Sequence, residues 1–120
     1  MAFHTELTIF KTAEQLFDLA SDSIVVNMPR KYKSSLGREI IHQCVGVSVA
    51  IAKANGSRNK VPHLETVIDH TEGLHFLFRQ CVGKRAISRK QYADAIQLTT
   101  SIGKQANGWK KSPSASSPAA

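Results

Sequence analysis

The chain has 120 residues, 42% of them apolar, and sixteen Lys and Arg against nine Asp and Glu, for a net charge of +7. That length suits one domain, and that apolar share is too high for a disordered chain. The cationic excess says nothing of fold, but it points to nucleic acid or another anionic surface as partner.

The first helical pattern covers residues 5–28. Ile9, Ala13, Leu16, Phe17, Ala20, Ile24 and Met28 recur at steps of three and four, which places them on one face. Thr5 is the expected N-cap, with Glu6 in the first turn. The run Ile24-Val25-Val26 is β-branched but keeps the helical phase.

The next stretch, from Met28 to Ile40, ends one helix and begins another. Pro29 lacks an N–H and pushes Met28 out of helical angles. Ser34 or Ser35 is the expected N-cap of a second helix over residues 34–54. Its stripe is Leu36, Ile40, Cys44, Val47 and Ile51, flanked by Ile41, Val45 and Ala50. Gly37 and Gly46 each weaken a helix interior by about 1 kcal/mol, so close helix–helix approach is the expected reason for them. Asn55-Gly56 supplies the residues of a left-handed C-cap.

Pro62 fits the first turn of a third helix, which runs to Val82. Leu64, Val67, Ile68, Thr71, Leu74, Leu77, Phe78 and Cys81 form its stripe, and Gly83 is the expected C-cap. Ser88 and Gln91 have the spacing of a capping box for a fourth helix ending near Trp109. Its stripe is Tyr92, Ala95, Ile96, Thr99, Ile102, Ala106 and Trp109. Four amphipathic helices with short loops predict an all-α, antiparallel up-down-up-down four-helix bundle over residues 1–110. Residues 111–120, rich in Ser, Pro and Ala, are expected to form a disordered tail.

Charge is segregated along the chain. Residues 1–28 and 61–78 each carry a net −3, while 29–60 carry +6 and 79–120 carry +7. In an antiparallel bundle the first and third loops share one end. That end gathers Arg30, Lys31, Lys33, Arg38, Arg79, Lys84, Arg85, Arg89 and Lys90. The other end receives Arg58, Lys60, Lys104, Lys110 and Lys111. A concentrated cationic surface attracts polyanions through counterion release, without reading sequence. Tyr32 and Tyr92 stand beside these bases, either as packing residues or as stacking platforms.

Catalytic and metal signatures are missing. The five histidines form no HExxH pattern, and His70 and His75, five apart, do not share a helix face. Glu65, Asp69 and Glu72 form a row without the Glu-x-x-His partners of a di-iron bundle. No phosphate-binding glycine loop or nucleophile elbow is present. No metal, cofactor or enzymatic activity is therefore expected. Cys44 and Cys81 have no C-x-x-C spacing and read as small buried hydrophobes, with a reducing cytoplasm as the default compartment. No run of about 18 apolar residues is present, so no membrane span is expected. The first six residues lack the order of a secretion signal.

Several features together resemble the accessory variability determinant proteins of diversity-generating retroelements, which are grouped with the proteins of ribosomal RNA intervening sequences. The most specific are Met28-Pro29-Arg30-Lys31 and Leu36-Gly37-Arg38-Glu39-Ile40. Weaker matches are Gly73-Leu74, Phe78-Arg79, Ile102-Gly103 and Trp109-Lys110-Lys111. The resemblance implies a basic homopentameric barrel that binds a reverse transcriptase and RNA or DNA. It also implies a role in copying a template-repeat RNA into mutagenised cDNA. By that resemblance Arg30, Lys31, Arg38, Arg79 and Arg85 face polymerase or nucleic acid. The alternative is a basic scaffold that docks an acidic protein, or an intervening-sequence protein with no polymerase partner.

Overall fold

A computed structural model describes residues 7–115. The first helix, α1 (Thr8–Leu19), continues as a π-helical stretch, Ala20–Val25. After the corner, a helical turn (Arg30–Tyr32) and a second π-helical stretch (Lys33–Gly37) lead into α2 (Arg38–Gly56). Then come α3 (Val61–Gly83), α4 (Arg89–Lys111) and a 3-10 turn, Pro113–Ala115. Each of α1 and α3 packs on both α2 and α4, and the diagonal pairs barely meet. The result is an antiparallel four-helix bundle of 52 × 20 × 20 Å.

The 3.6-residue period builds the core. Ile9, Ala13, Leu16, Ala20, Ile24 and Met28 are buried from the first stripe, and Ile40, Cys44, Val47 and Ile51 from the second. From α3, Leu64, Val67, Leu74, Leu77, Phe78 and Cys81 are buried, and from α4, Ala95, Ile102 and Ala106. Buried threonines return their hydroxyls to their own helix: Thr99 Oγ1 donates to the Ala95 carbonyl at 3.0 Å and Thr71 Oγ1 to that of Ile68 at 2.7 Å. Side-chain bonds then set the register between helices. Gln105 Nε2 donates to Thr12 Oγ1 at 3.1 Å, and His70 Nδ1 meets Gln43 Oε1. Gly46 makes room for that histidine: a Cβ there would stand 2.6 Å from His70 Nε2. The close approach expected at Gly46 is thus to an imidazole. At Gly37 a Cβ would meet Val25 Cγ1 at 3.0 Å, because the glycine is buried under the corner.

The helix ends depart from expectation. Neither Ser34 nor Ser35 caps α2. Helical backbone already starts at Arg30, because Pro29 at φ −54° and ψ 140° sets the entry and its carbonyl accepts from Tyr32 and Lys33 N–H at 2.9 and 3.1 Å. Ser35 Oγ instead donates back to the Tyr32 carbonyl. No described glycine has positive φ, so Asn55-Gly56 and Gly83 are not left-handed caps. The expected Thr5 cap and Glu6 lie outside the described residues. Ser88 does form the capping box with Gln91, in bonds of 3.0 and 2.8 Å. Beyond α4, Ala115 is fully buried and its carbonyl accepts from Lys60 N–H at 2.7 Å. Residues 113–115, read with the tail, therefore dock on the α2–α3 loop.

Candidate nucleic-acid interface

The corner after α1 and the α3–α4 loop meet at one end of the bundle. Gln91 Nε2, in the first turn of α4, donates to both the carbonyl and the hydroxyl of Ser23, each at 3.2 Å. Around this junction Arg30, Lys31, Lys33, Arg38, Arg79, Lys84, Arg85, Arg89 and Lys90 are all exposed. Arg38 lies eight residues beyond Arg30, about 12 Å along its helix, so the cations cover roughly the last two turns of this end.

These charges are largely uncompensated. Lys90 reaches Asp94 at 3.3 Å, and none of the other eight has a carboxylate within 4.0 Å among the described residues. Lys33 Nζ donates to the Val26 carbonyl at 3.1 Å, closing the end of the first helical run. Lys31 Nζ stands 5.1 Å from the centroid of the Tyr32 ring. Tyr32 is half-buried, as is Tyr92.

Position makes the cations costly. Arg30, Lys31, Arg89 and Lys90 occupy the first turns of helical segments. The macrodipole is positive there, so each cation is unfavourable by about 0.3–1 kcal/mol where it is not screened. Arg85 adds backbone strain. It has φ 58°, the only non-glycine residue among those described with positive φ. Arg85 N–H donates to the Val82 carbonyl at 3.1 Å and Ala86 N–H to the Cys81 carbonyl at 2.8 Å. That pair of bonds is a Schellman motif, closed by buried Ala86 above buried Cys81. Arginine thus fills a position where glycine would be favoured by about 1 kcal/mol.

The opposite end uses its cations differently. Lys60 Nζ donates to the carbonyls of Ala54, Asn55 and Ser57 at 3.0, 3.3 and 2.6 Å. It also lies 6.0 Å from the Trp109 ring. Lys60 is therefore the C-terminal cap of α2. Lys110 pairs with Glu65 at 3.9 Å. Of the five cations assigned to this end, Arg58, Lys104 and Lys111 are exposed.

No group of three or more His, Cys, Asp or Glu among the described residues is placed to hold a metal. His42 is exposed, 3.7 Å from Glu39, and His75 Nε2 is buried without a hydrogen-bond partner. Burial pushes the Cys44 thiol up to about 12, and burial raises Cys81 too, with Lys84 partly opposing. Neither thiol is poised as a nucleophile. No described helix is long and apolar enough to cross a membrane.

The charge sum located this end, but not everything in it. The left-handed Arg85 leaves one faint trace in sequence, the apolar pair Ala86-Ile87 after two bases. The Gln91–Ser23 clamp joins residues 68 apart and leaves none.

The fold defines the class: an all-α antiparallel four-helix bundle with exposed cations gathered at one end. The chain belongs to the bAvd-like family, the bacterial accessory variability determinant proteins, whose family model matches residues 7–113. No curated protein and no solved structure matches the chain.

Proposed function

We propose that this chain is a non-catalytic accessory protein of a diversity-generating retroelement. In this reading the cationic end binds RNA or DNA and the element's reverse transcriptase. The protein then supports mutagenic copying of the template-repeat RNA into cDNA that replaces a variable gene segment. It works as a homo-oligomer, a pentamer by family resemblance, in the cytoplasm of its host. Family membership supports the retroelement context. The binding surface is inferred chiefly from one observation. Nine exposed cations crowd one end, and only Lys90 has a carboxylate partner among the described residues. Four of them stand in first turns and one in left-handed backbone, so they are kept at the expense of stability.

The test is direct binding of purified protein to a labelled single-stranded RNA across a salt series. Binding that falls steeply with salt and ignores base sequence is expected. Failure to bind any RNA, together with capture of an acidic protein, would favour the scaffold reading instead. Co-purification with the element's reverse transcriptase tests the polymerase half separately.

A further inference from the structure

Val26, Val45, Val49 and Phe76 are the large apolar side chains exposed among the described residues, and Phe76, at 62%, is the aromatic one. It stands on α3, where with His75, Arg79, Tyr92 and Ile96 it lines a hollow of about 400 Å³. That volume falls within the range of small-ligand sites, roughly 300–1,000 Å³. No carboxylate is among those five residues. A second groove, on the α1–α2 face, is lined by Phe17, Val45, Ser48 and Val49 but also carries Glu14 and Asp18.

Two features fit the α3–α4 hollow to a nucleic-acid strand. The first is continuity. Arg79 is at once a wall of the hollow and one of the nine exposed cations of the bundle end. Phe76 precedes it by three residues, so the two side chains share a face of α3. Tyr92 follows Arg89 and Lys90 within the first turn of α4. A strand whose phosphates lie on these cations passes beside the hollow. The second feature is shape. Phe76, Tyr92 and His75 supply flat rings, on which any base can stack, and a guanidinium both meets phosphate and stacks. The acidic rim of the α1–α2 groove repels the same strand.

We infer that the α3–α4 hollow holds one unpaired base of the bound strand, stacked on Phe76, with its phosphate on Arg79. Phosphate contacts alone do not tell a single strand from a duplex. A stacking hollow does, because paired bases are already stacked on one another and only a splayed base can enter it. The hollow therefore directs the cationic end toward single strands, loops and frayed ends. It is indifferent to which base it takes, since every base has a π-face. His75 Nε2, the unpartnered nitrogen of its wall, is buried and reads no base edge. The site rests on the proposed binding of nucleic acid at the cationic end and adds the form of nucleic acid that is taken.

The test uses the full chain and two variants, Phe76→Ala and Phe76→Trp, at a position exposed enough that the fold does not need it. The probes are a labelled single-stranded RNA, the same RNA annealed to its complement, and a single strand carrying one fluorescent adenine analogue that is quenched on stacking. The wild type is expected to bind the single strand about tenfold more tightly than the duplex and to quench the analogue. Phe76→Ala should lose that preference and the quenching. Its duplex affinity and salt dependence should stay unchanged, because no phosphate contact is removed. Phe76→Trp should keep both. Equal wild-type affinity for the two RNA forms, or a Phe76→Ala protein that still prefers the single strand, would overturn the site and leave the cationic end as a binding surface. So would a Phe76→Ala protein whose mass falls in light scattering, since the hollow would then seat another protein. A wild type that binds neither RNA form would overturn the proposed function and the site with it.

Discussion

At one end of the bundle Lys53, Lys110 and Lys111 occupy the last turns of α2 and α4, where the macrodipole favours positive charge. At the other, Arg30, Lys31, Arg89 and Lys90 occupy first turns, where it opposes them. Lys60 satisfies three carbonyls at the first end. Arg85 at the second holds a strained backbone and has no carboxylate partner among the described residues. Similar side chains therefore serve opposite ends of the free-energy balance. One set stabilises the fold, and the other is tolerated by it. A cation that costs stability where it stands is a better candidate for binding than one that caps a helix.

The largest expected effect contrasts the two ends directly. Changing Arg30, Lys31, Arg85 and Arg89 together to Glu should lower RNA affinity by about 10³-fold at 0.15 M salt and flatten the salt dependence by about four phosphate contacts. Arg58, Lys104 and Lys111 changed to Glu should cost less than roughly tenfold, since the proposed binding surface is at the other end. Equal losses in a filter-binding titration would erase the distinction between the ends.

Next comes Lys60→Met, which leaves the carbonyls of Ala54, Asn55 and Ser57 without their charged donor. A loss of roughly 2 kcal/mol is expected, on the order of 10 °C in thermal midpoint, with RNA affinity unchanged. An unaltered melting curve would show that Lys60 is not structural.

The thiols come next. The unfolded Cys44 thiol titrates near pH 8.5–9, while burial holds the folded one up to about 12. Folded protein therefore binds the proton more tightly. This contribution to stability is complete below about pH 8.5 and is lost as pH rises toward 12, by at most about 1.4 kcal/mol per pH unit. Denaturation midpoints at pH 8 and 10 should differ less in Cys44→Ala than in wild type. At Cys81 the nearby Lys84 opposes the upward shift, so Lys84→Gln should make that thiol still slower to react with an alkylating reagent.

Arg85→Gly is the smallest and the most diagnostic change. It should raise stability by about 1 kcal/mol by relieving the left-handed backbone, yet weaken RNA binding about fivefold by removing one phosphate contact. A purely structural arginine would move both readouts in the same direction.

Much of this molecule is legible in its sequence. Steps of three and four placed Leu16, Ile40, Phe78 and Ile102 in the core, and each is fully buried. Ser88 and Gln91 announced their capping box because both partners lie within one turn. The same local logic failed at Ser34, Gly56 and Gly83, each a reasonable cap residue. Pro29 already supplied an entry to α2, Lys60 reached back across the loop, and the left-handed position fell on Arg85. Val45 was read as flanking the core, but it is exposed, as is Val49, because α1 leaves a groove beside them.

The sequence alone determined the number of helices, their inward faces and the end to which the cations go. Those follow from a period of 3.6 and from short loops that force alternation. The tertiary structure decided which cations are spent on capping, which residue carries the strain, and which apolar side chains remain in water. Those depend on contacts between segments far apart in the chain, such as Gln91 with Ser23 and Lys60 with Ala115. Periodicity describes each helix by itself and contains no term for its neighbour.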